Sequence, residues 1–487
     1  MSMFFTLDEV VEILGAELVG GDAEIADISI DSRSLAAGDL YVAIEGERFD
    51  GHDFVDAAEA AGAAAVLVSR RVSTELPQLV VADTRVALGA LARWWAKQFM
   101  VPTVAITGSN GKTTLKELVA SILGQLGPVL ATEGNLNNDI GVPLTLFRLR
   151  PEHRYAVIEL GANHAGEIAR LVSIVEPDVA IVNNVGRAHL EGFGSLDAVA
   201  EAKSEIFSGL GDDGFAVINA DDAYADVMRK AASHATIREF GLDEQADVRG
   251  LPGPGLQIDM MGAILKPRFA LAGDHNGMNA LAAVAAALCL HVQPETIVAG
   301  LEAVKAVPGR LQYKIGVNHS LIIDDSYNAN PPSVMAAIDV LAANDGERHL
   351  VLGDMAELGD DAEDIHGEVG RYARERGIDA IWTVGALAGE ADCAFADTRA
   401  PRLRQRDARG AFESDLSEGG HFADQPSLSA ALRQVLDVDS VVMVKGSRSA
   451  HMERVVEALV VNDAGNEETP EMPEMPETPE TSDEVSS

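Results

Sequence analysis

VAITGSNGKTTLKELVASIL, residues 104–123, carries a strand, a turn and a helix start in immediate succession. Val104 to Ile106, opened by Pro102, form a short apolar run of the kind that makes a buried strand. A Gly/Ser/Asn turn follows, and a helix begins at about Lys112. In that arrangement the backbone N–H groups of Gly108, Ser109, Asn110, Gly111, Lys112 and Thr113 converge on an anion, and the positive end of the helix dipole adds to the attraction. Lys112 is placed to reach terminal phosphates, and the Thr113 hydroxyl to bind a magnesium ion. The spacing departs from the usual G-x-x-x-x-G-K-[ST], because only two residues separate Gly108 from Gly111. The stretch predicts a nucleotide site, and by itself it suits a kinase, a GTPase or a ligase.

Around it, 487 residues are too many for one ordinary core, so several domains are expected. A hydrophobic share of 47% with only 5% aromatics points to an α/β chain rich in Ala and Gly. The longest apolar run, Ala280 to Leu290, is too short for a membrane span and reads as a buried helix. The opening MSMFFTLDEVVEILG lacks a basic region followed by a long apolar core, so no secretory signal is expected. Cys289 and Cys393 make no disulfide framework and have no metal-ligand spacing, which suits a reducing cytoplasm. The net charge is −40, and Asp463 to Ser487 contribute nine carboxylates with no Lys or Arg. Such a surface repels nucleic acid. It also suggests adaptation to a salty cytosol, an expectation that salt-induced unfolding would contradict.

In chain order, residues 1–84 read as a small α/β domain, with a helix over Leu7 to Leu14 and another over Phe54 to Ala61. Strands are expected near Ile25 to Ile30, Leu40 to Ile44, Val66 to Val68 and Leu79 to Val81. Residues 85–312 alternate strands (Val129–Ala131, Tyr155–Ile158, Val179–Val182, Ala216–Ile218) with helices (Ile140–Phe147, Ala165–Ile174, Ser195–Leu210, Asp222–Ala232). That alternation predicts a central, P-loop ATPase-like, mainly parallel sheet covered on both faces, with ligands at the carboxyl ends of its strands. Asp247 to Phe269 add a small antiparallel section, and His275 to Leu290 an Ala-rich helix. Residues 313–460 repeat the rhythm, with strands at Leu321–Asp324, His349–Leu352, Ala380–Val384 and Val441–Val444, and predict a Rossmann-like domain. Residues 461–487 are acidic and Pro-rich, and should form a disordered tail.

Three residues with metal or acid–base chemistry follow the phosphate loop. Glu159 ends the apolar run YAVIE, His189 lies in NNVGRAHLEGFGS after the next strand, and Lys203 lies in the helix AEAKSEIFSGL. DHNGMNA (Asp274 to Ala280), PGR (Pro308 to Arg310), DDSYNANPPS (Asp324 to Ser333), GDMAELG (Gly353 to Gly359) and KGSR (Lys445 to Arg448) each open or follow an element. Singly, each suits a cap or turn. DDSYNANPPS is far more polar than a cap requires.

Taken in order over residues 1–460, these segments resemble the Mur ligase family, ATP-dependent enzymes of cell-wall synthesis that form peptide bonds. TGSNGKTT matches the family's phosphate loop, short glycine spacing included. IDSRSLAAGDLYVAIEG resembles the N-terminal domain of members that add the third residue or D-alanyl-D-alanine. TEGNLNNDIGVPLTL, DDSYNANPPS and GDMAELG are most similar to those that add the dipeptide, and the DNPR segment of diaminopimelate addition is absent. The resemblance implies an ADP-forming ligase acting on a UDP-N-acetylmuramoyl-tripeptide and D-alanyl-D-alanine, as a cytoplasmic monomer with no nucleic-acid partner and no membrane insertion. Another family ligase adding a single amino acid, or a P-loop protein without ligase activity, are the alternatives.

It implies roles as well. Gly108 through Thr114, with Asn276, Asn279, Arg310 and Asp325, would hold ATP; Thr113, Glu159, His189 and Lys203 would bind magnesium, as one ion or two, with Lys203 carbamylated into an oxygen ligand. Lys112, Glu159, His189 and Lys203 would be the catalytic set. Ser32 and Arg33 match the uridine-nucleotide region, and Thr132, Asn135 and Asn138 the central substrate loop; Tyr327, Asn328, Asn330, Lys445 and Arg448 would lie near the incoming dipeptide.

Overall fold

The strand Thr103–Thr107 lies inside a nine-stranded sheet, hydrogen-bonded in parallel to Val179–Val182 on one side and Tyr155–Glu159 on the other. Its Val104, Ala105 and Ile106 are fully buried, which is why the run has no alternation of apolar and polar residues. The structure, a computed structural model, describes residues 5–46, 48–187, 190–404 and 416–461. The expected disordered tail falls outside these residues, apart from Val461.

Across the central sheet the order is Ala263–Leu265, Gln257–Met260, Val248–Leu251, Thr236–Gly241, Phe215–Asn219, Val179–Val182, Thr103–Thr107, Tyr155–Glu159, Val129–Ala131. The first three strands pair antiparallel with one another in sequence, as expected for the section after Asp247, and the remaining pairs are parallel. Thr236–Gly241, sequence TIREFG, is a strand that the hydropathy pattern hides. Its Arg238 and Glu239 are only half-buried and form ion pairs with Asp247 and Arg229, so an interior strand carries charges.

The helix that follows the phosphate loop, Lys112–Gly124, buries Leu115, Leu118, Val119, Ile122 and Leu123. The Ala-rich helix Asp274–Cys289 packs beside it, small side chains allowing the approach. Helix Pro294–Ala303 comes closer still: a Cβ on Gly300 would lie 2.4 Å from the Ile122 Cα. Only glycine fits there. Together these helices fix the start of Lys112–Gly124 against the sheet.

The N-terminal segment holds a five-stranded sheet in the order Glu17–Val19, Gln78–Val80, Ala65–Val68, Leu40–Val42, Ile28–Ser29. The expected strand region Ile25 to Ile30 is split between two sheets. Glu24–Ile25 pairs with Phe5–Thr6, while Ile28–Ser29 joins Leu40–Val42. Between them the chain turns, with the Ala26 N–H on the Gly38 carbonyl and the Asp27 carboxylate on the Ile28 N–H. The third sheet runs Gln312–Ile315, Leu321–Asp325, Ser440–Lys445, Glu347–Gly353, Ala380–Val384, Gly419–Phe422, parallel except at Gln312–Ile315. The architecture is three-domain α/β. Among the described residues no helix is long and apolar enough to cross a membrane.

Candidate active site

A cleft of about 1080 Å³ opens at the carboxyl ends of the central strands and is closed on its far side by the third sheet's loops. Ser109, Asn110, Gly111, Lys112, Thr113 and Thr114 form its floor. Gly111 has φ +76°, and a Cβ there would meet the Asn279 Oδ1 at 2.5 Å. The loop therefore turns only because this position lacks a side chain. No side chain caps the helix start at Gly111, so its first N–H groups face the cleft.

The expected set of converging amides is narrower than the sequence suggests. The Ser109 N–H donates to the Asn184 carbonyl (3.0 Å) and the Asn110 N–H to the Asn184 Oδ1 (2.8 Å). Those two amides shape the loop, and the helix-start amides are left for an anion. The Lys112 Nζ donates to the Gly108 carbonyl at 2.7 Å. Desolvation pushes its pKa below the usual lysine value, with Glu159 opposing and the Arg310 guanidinium adding to the fall.

Glu159 is 2% exposed at the end of its strand. The Thr113 hydroxyl donates to one carboxylate oxygen at 2.9 Å, and the Asn137 amide to the other at 2.8 Å. The Glu159 N–H donates to the Thr132 hydroxyl at 2.9 Å. A hydroxyl and a carboxylate side by side are hard oxygen donors that fit magnesium, a small cation usually held by few protein ligands and by phosphate oxygens. Among the described residues no group of three or more His, Cys, Asp or Glu forms a fuller metal cage. His189 lies outside the described residues.

Lys203 is 2% exposed in helix Leu196–Ser204 and does not line the cleft. Burial pushes its amine well below the ordinary lysine value, the charge on Lys112 adding to this. It has no ion-pair partner among the described residues. A neutral buried amine is the form that combines with carbon dioxide.

From the linker to the third sheet comes Arg310, whose Nη2 donates to the Thr113 hydroxyl at 3.0 Å while its guanidinium lies 4.4 Å from the Tyr327 ring centroid. The Arg310 Nε is buried without a hydrogen-bond partner. Asn330 donates to the Asn110 Oδ1 at 2.6 Å, a direct tie from the C-terminal segment to the phosphate loop. Lys445 is paired with Asp325 and also donates to the Asn328 carbonyl at 3.0 Å. The Arg448 guanidinium also lies over the Tyr327 ring, 5.8 Å from its centroid. Arg310, Asp325, Tyr327, Asn328, Asn330, Lys445 and Arg448 all line the one cleft.

Asn135, Asn138, Asn276 and Asn279 line it too. Asn279 accepts from the Asn183 amide at 2.7 Å and donates to Asn276 at 3.1 Å, so this chain of amides buttresses Gly111. Thr132 is buried behind the wall. Ser32 and Arg33 lie apart from the cleft, in a loop where Arg33 pairs with Asp31 at 2.6 Å. Sequence reasoning missed Asn137 and Asn184. The available signal was position: both sit just past strands, at the sheet's carboxyl edge.

A phosphate-loop sheet whose nucleotide cleft is completed by a second, Rossmann-like domain defines a class of ATP-using enzymes. Three family models match the chain: "Mur ligase family, catalytic domain" over residues 24–95, "Mur ligase middle domain" over 106–287, and "Mur ligase, glutamate ligase domain" over 309–448. The chain is 44% identical to the UDP-N-acetylmuramoyl-tripeptide–D-alanyl-D-alanine ligase of Escherichia coli, over 94% of this chain and 98% of that one. The crystal structure of MurF from Acinetobacter baumannii superposes with a TM-score of 0.84 at 38% identity, covering 94% and 98% of the two chains. MurF ligase from Thermotoga maritima, solved in complex with ADP, gives 0.76 at 27% identity, covering 89% and 96%. The chain belongs to the Mur ligase family.

Proposed function

We propose that the chain is an ATP-dependent ligase that joins D-alanyl-D-alanine to a UDP-N-acetylmuramoyl-tripeptide in peptidoglycan precursor synthesis. The observation that carries this reading is the junction at Thr113: the phosphate-loop hydroxyl, Glu159 and the linker's Arg310 meet there, so the nucleotide end is complete only with the C-terminal segment in place. The likeness to ligases of this name over nearly the whole chain supports the substrate assignment.

The acceptor's terminal carboxylate attacks the γ-phosphorus of ATP, ADP leaves, and an acyl phosphate results. The dipeptide's amine then attacks the acyl carbon and loses a proton; the C–O bond to phosphate breaks, giving an amide and inorganic phosphate. Both reactants of the first step are anions, so the work is electrostatic and positional. The loop from Gly108 to Thr114 holds the phosphates, with the Lys112 ammonium and helix-start amides offsetting their charge. Thr113 and Glu159, with His189 and a carbamylated Lys203, would hold magnesium, which would supply Lewis-acid charge there. Asn276 and Asn279 lie toward the adenine, and Arg310 and Asp325 toward phosphate and ribose. Ser32 and Arg33 take the uridine end; Thr132, Asn135 and Asn138 border the acceptor peptide; Tyr327, Asn328, Asn330, Lys445 and Arg448 border the dipeptide.

We place the substrate domain at residues 1–84, the ATP domain at 85–312 and the ligase domain at 313–460, with a disordered tail from 461, in a monomer working in the cytoplasm, where ATP is present. The test is ADP release with each substrate left out in turn. Release that needs both the tripeptide nucleotide and D-alanyl-D-alanine is expected. Release that needs a single free amino acid, or no UDP-linked peptide, contradicts the reading.

A further inference from the structure

The phosphate-loop helix carries a second lysine that the reaction described above does not use. Lys116 is 3% exposed, one turn after Thr113 on the same helix face. Its Nζ donates to the Thr132 carbonyl at 2.6 Å and pairs with the Glu117 carboxylate at 2.6 Å. A buried ammonium is costly unless paired, and this one spends a hydrogen bond on the first residue of the loop Thr132 to Asp139.

That loop touches Glu159 at two points, once at its backbone and once at its carboxylate. Thr132's hydroxyl receives the Glu159 N–H, and five residues on, Asn137 donates to Glu159's side chain. Asn137's own carbonyl receives the Gly161 N–H at 2.8 Å, just past Glu159. Thr113 holds the remaining Glu159 oxygen from the helix side. The result is a closed ring of contacts: helix residues 113 and 116, loop residues 132 and 137, and Glu159 between them.

We infer that Lys116 is a positioning residue that pins the acceptor-peptide loop to the phosphate-loop helix and so sets the aim of Glu159. The inference rests on the ligase reading above. Lys116 does not line the cleft; it acts through Thr132 and Asn137. Losing it frees the loop root, lets Asn137 and Glu159 shift, and weakens metal and acceptor binding together. The dipeptide side, built on residues after Asp325, is not part of the ring.

The experiment is steady-state ligation by wild type, Lys116→Met, Lys116→Gln and Lys116→Arg, with thermal melting of each. Wild type must first show ADP release that depends on both substrates; if it does not, the ligase reading fails, not this inference alone. Given that activity, the Met and Gln variants should raise the half-saturating Mg2+ concentration and the KM for the UDP-linked tripeptide about tenfold or more. The KM for D-alanyl-D-alanine should stay within twofold, and Arg, which keeps charge and donors, should recover most of the loss. Gln is neutral and too short to reach the carbonyl, so it reports even where Met does not fold. A lowered melting temperature with unchanged Mg2+ and tripeptide constants, or an equal rise in all three constants, overturns the inference.

Discussion

Glu159 shows how a single carboxylate is aimed. Its two oxygens are taken by a hydroxyl from the phosphate-loop helix and an amide from the Thr132–Asp139 loop, and burial removes competing water. Lys203 is the opposite case, a buried amine with no ion-pair partner among the described residues, its pKa pushed well below the ordinary lysine value by burial. Carbamylation would make it an anion suited to magnesium. Lys203→Ala should therefore lose ligation by about two orders of magnitude, with a short carboxylic acid such as formate restoring part of it. Full activity without the acid would remove the carbamate from the account. Lys203 was legible only through the resemblance, because AEAKSE reads as an ordinary solvated helix and burial comes from the fold. For Asn137 and Asn184 only the position past a strand was legible; their partners were not, since these depend on which strand ends the topology places side by side.

At the scale of elements, the phosphate loop is held by amides, Asn183 and Asn279 packed around Gly111 and Asn184 bonded to Asn110. Gly111→Ala forces an L-residue into the left-handed region, costing about 1–2 kcal/mol, and drives its Cβ into Asn279. Nucleotide affinity should fall at least tenfold, measured by ADP binding; unchanged affinity would show that the loop adapts. In the C-terminal sheet, the Trp382 indole donates to the His349 Nδ1 at 3.2 Å, so the neutral ring's proton is on Nε2, which is buried without a hydrogen bond, the Glu347 carboxylate standing off at 3.8 Å. Burial lowers this imidazole from the usual 6.5 to about 4, with Asp379 and Asp437 opposing. The unfolded chain then binds a proton that the folded one refuses, so stability falls as pH drops from about 6.5 to about 4, by roughly 3 kcal/mol at most from this group. Urea unfolding of His349→Gln against wild type should show a shallower loss across that window, and parallel curves would contradict it. The strand itself was legible from its apolar run. Thr236–Gly241 was not, because Arg238 and Glu239 satisfy their charges through ion pairs that no local pattern reveals.

Across the whole molecule, the cleft belongs to no single sheet. Its floor is the central domain, and its cover is tied down by Asn330 on Asn110 and by Arg310 on Thr113. Asn330 also caps helix Pro331–Ala342 through its Oδ1 on the Ser333 N–H. Asn330→Asp keeps the cap but removes the donor to the loop and adds an anion beside it. The melting temperature should hold while kcat/KM for ATP drops about tenfold; an unchanged value would mean that this tie plays no part in closure. The α/β alternation and three-domain order were readable because strands buried on both faces leave continuous apolar runs. How the domains meet was not, since polar contacts such as Asn330 to Asn110 span 220 positions of sequence and leave no periodic trace. The measurement that most directly tests the central claim uses UDP-N-acetylmuramoyl-tripeptide labelled with 18O in its terminal carboxylate. An acyl-phosphate route transfers one labelled oxygen to each inorganic phosphate released in the presence of D-alanyl-D-alanine. Unlabelled phosphate accompanying peptide-bond formation would contradict it.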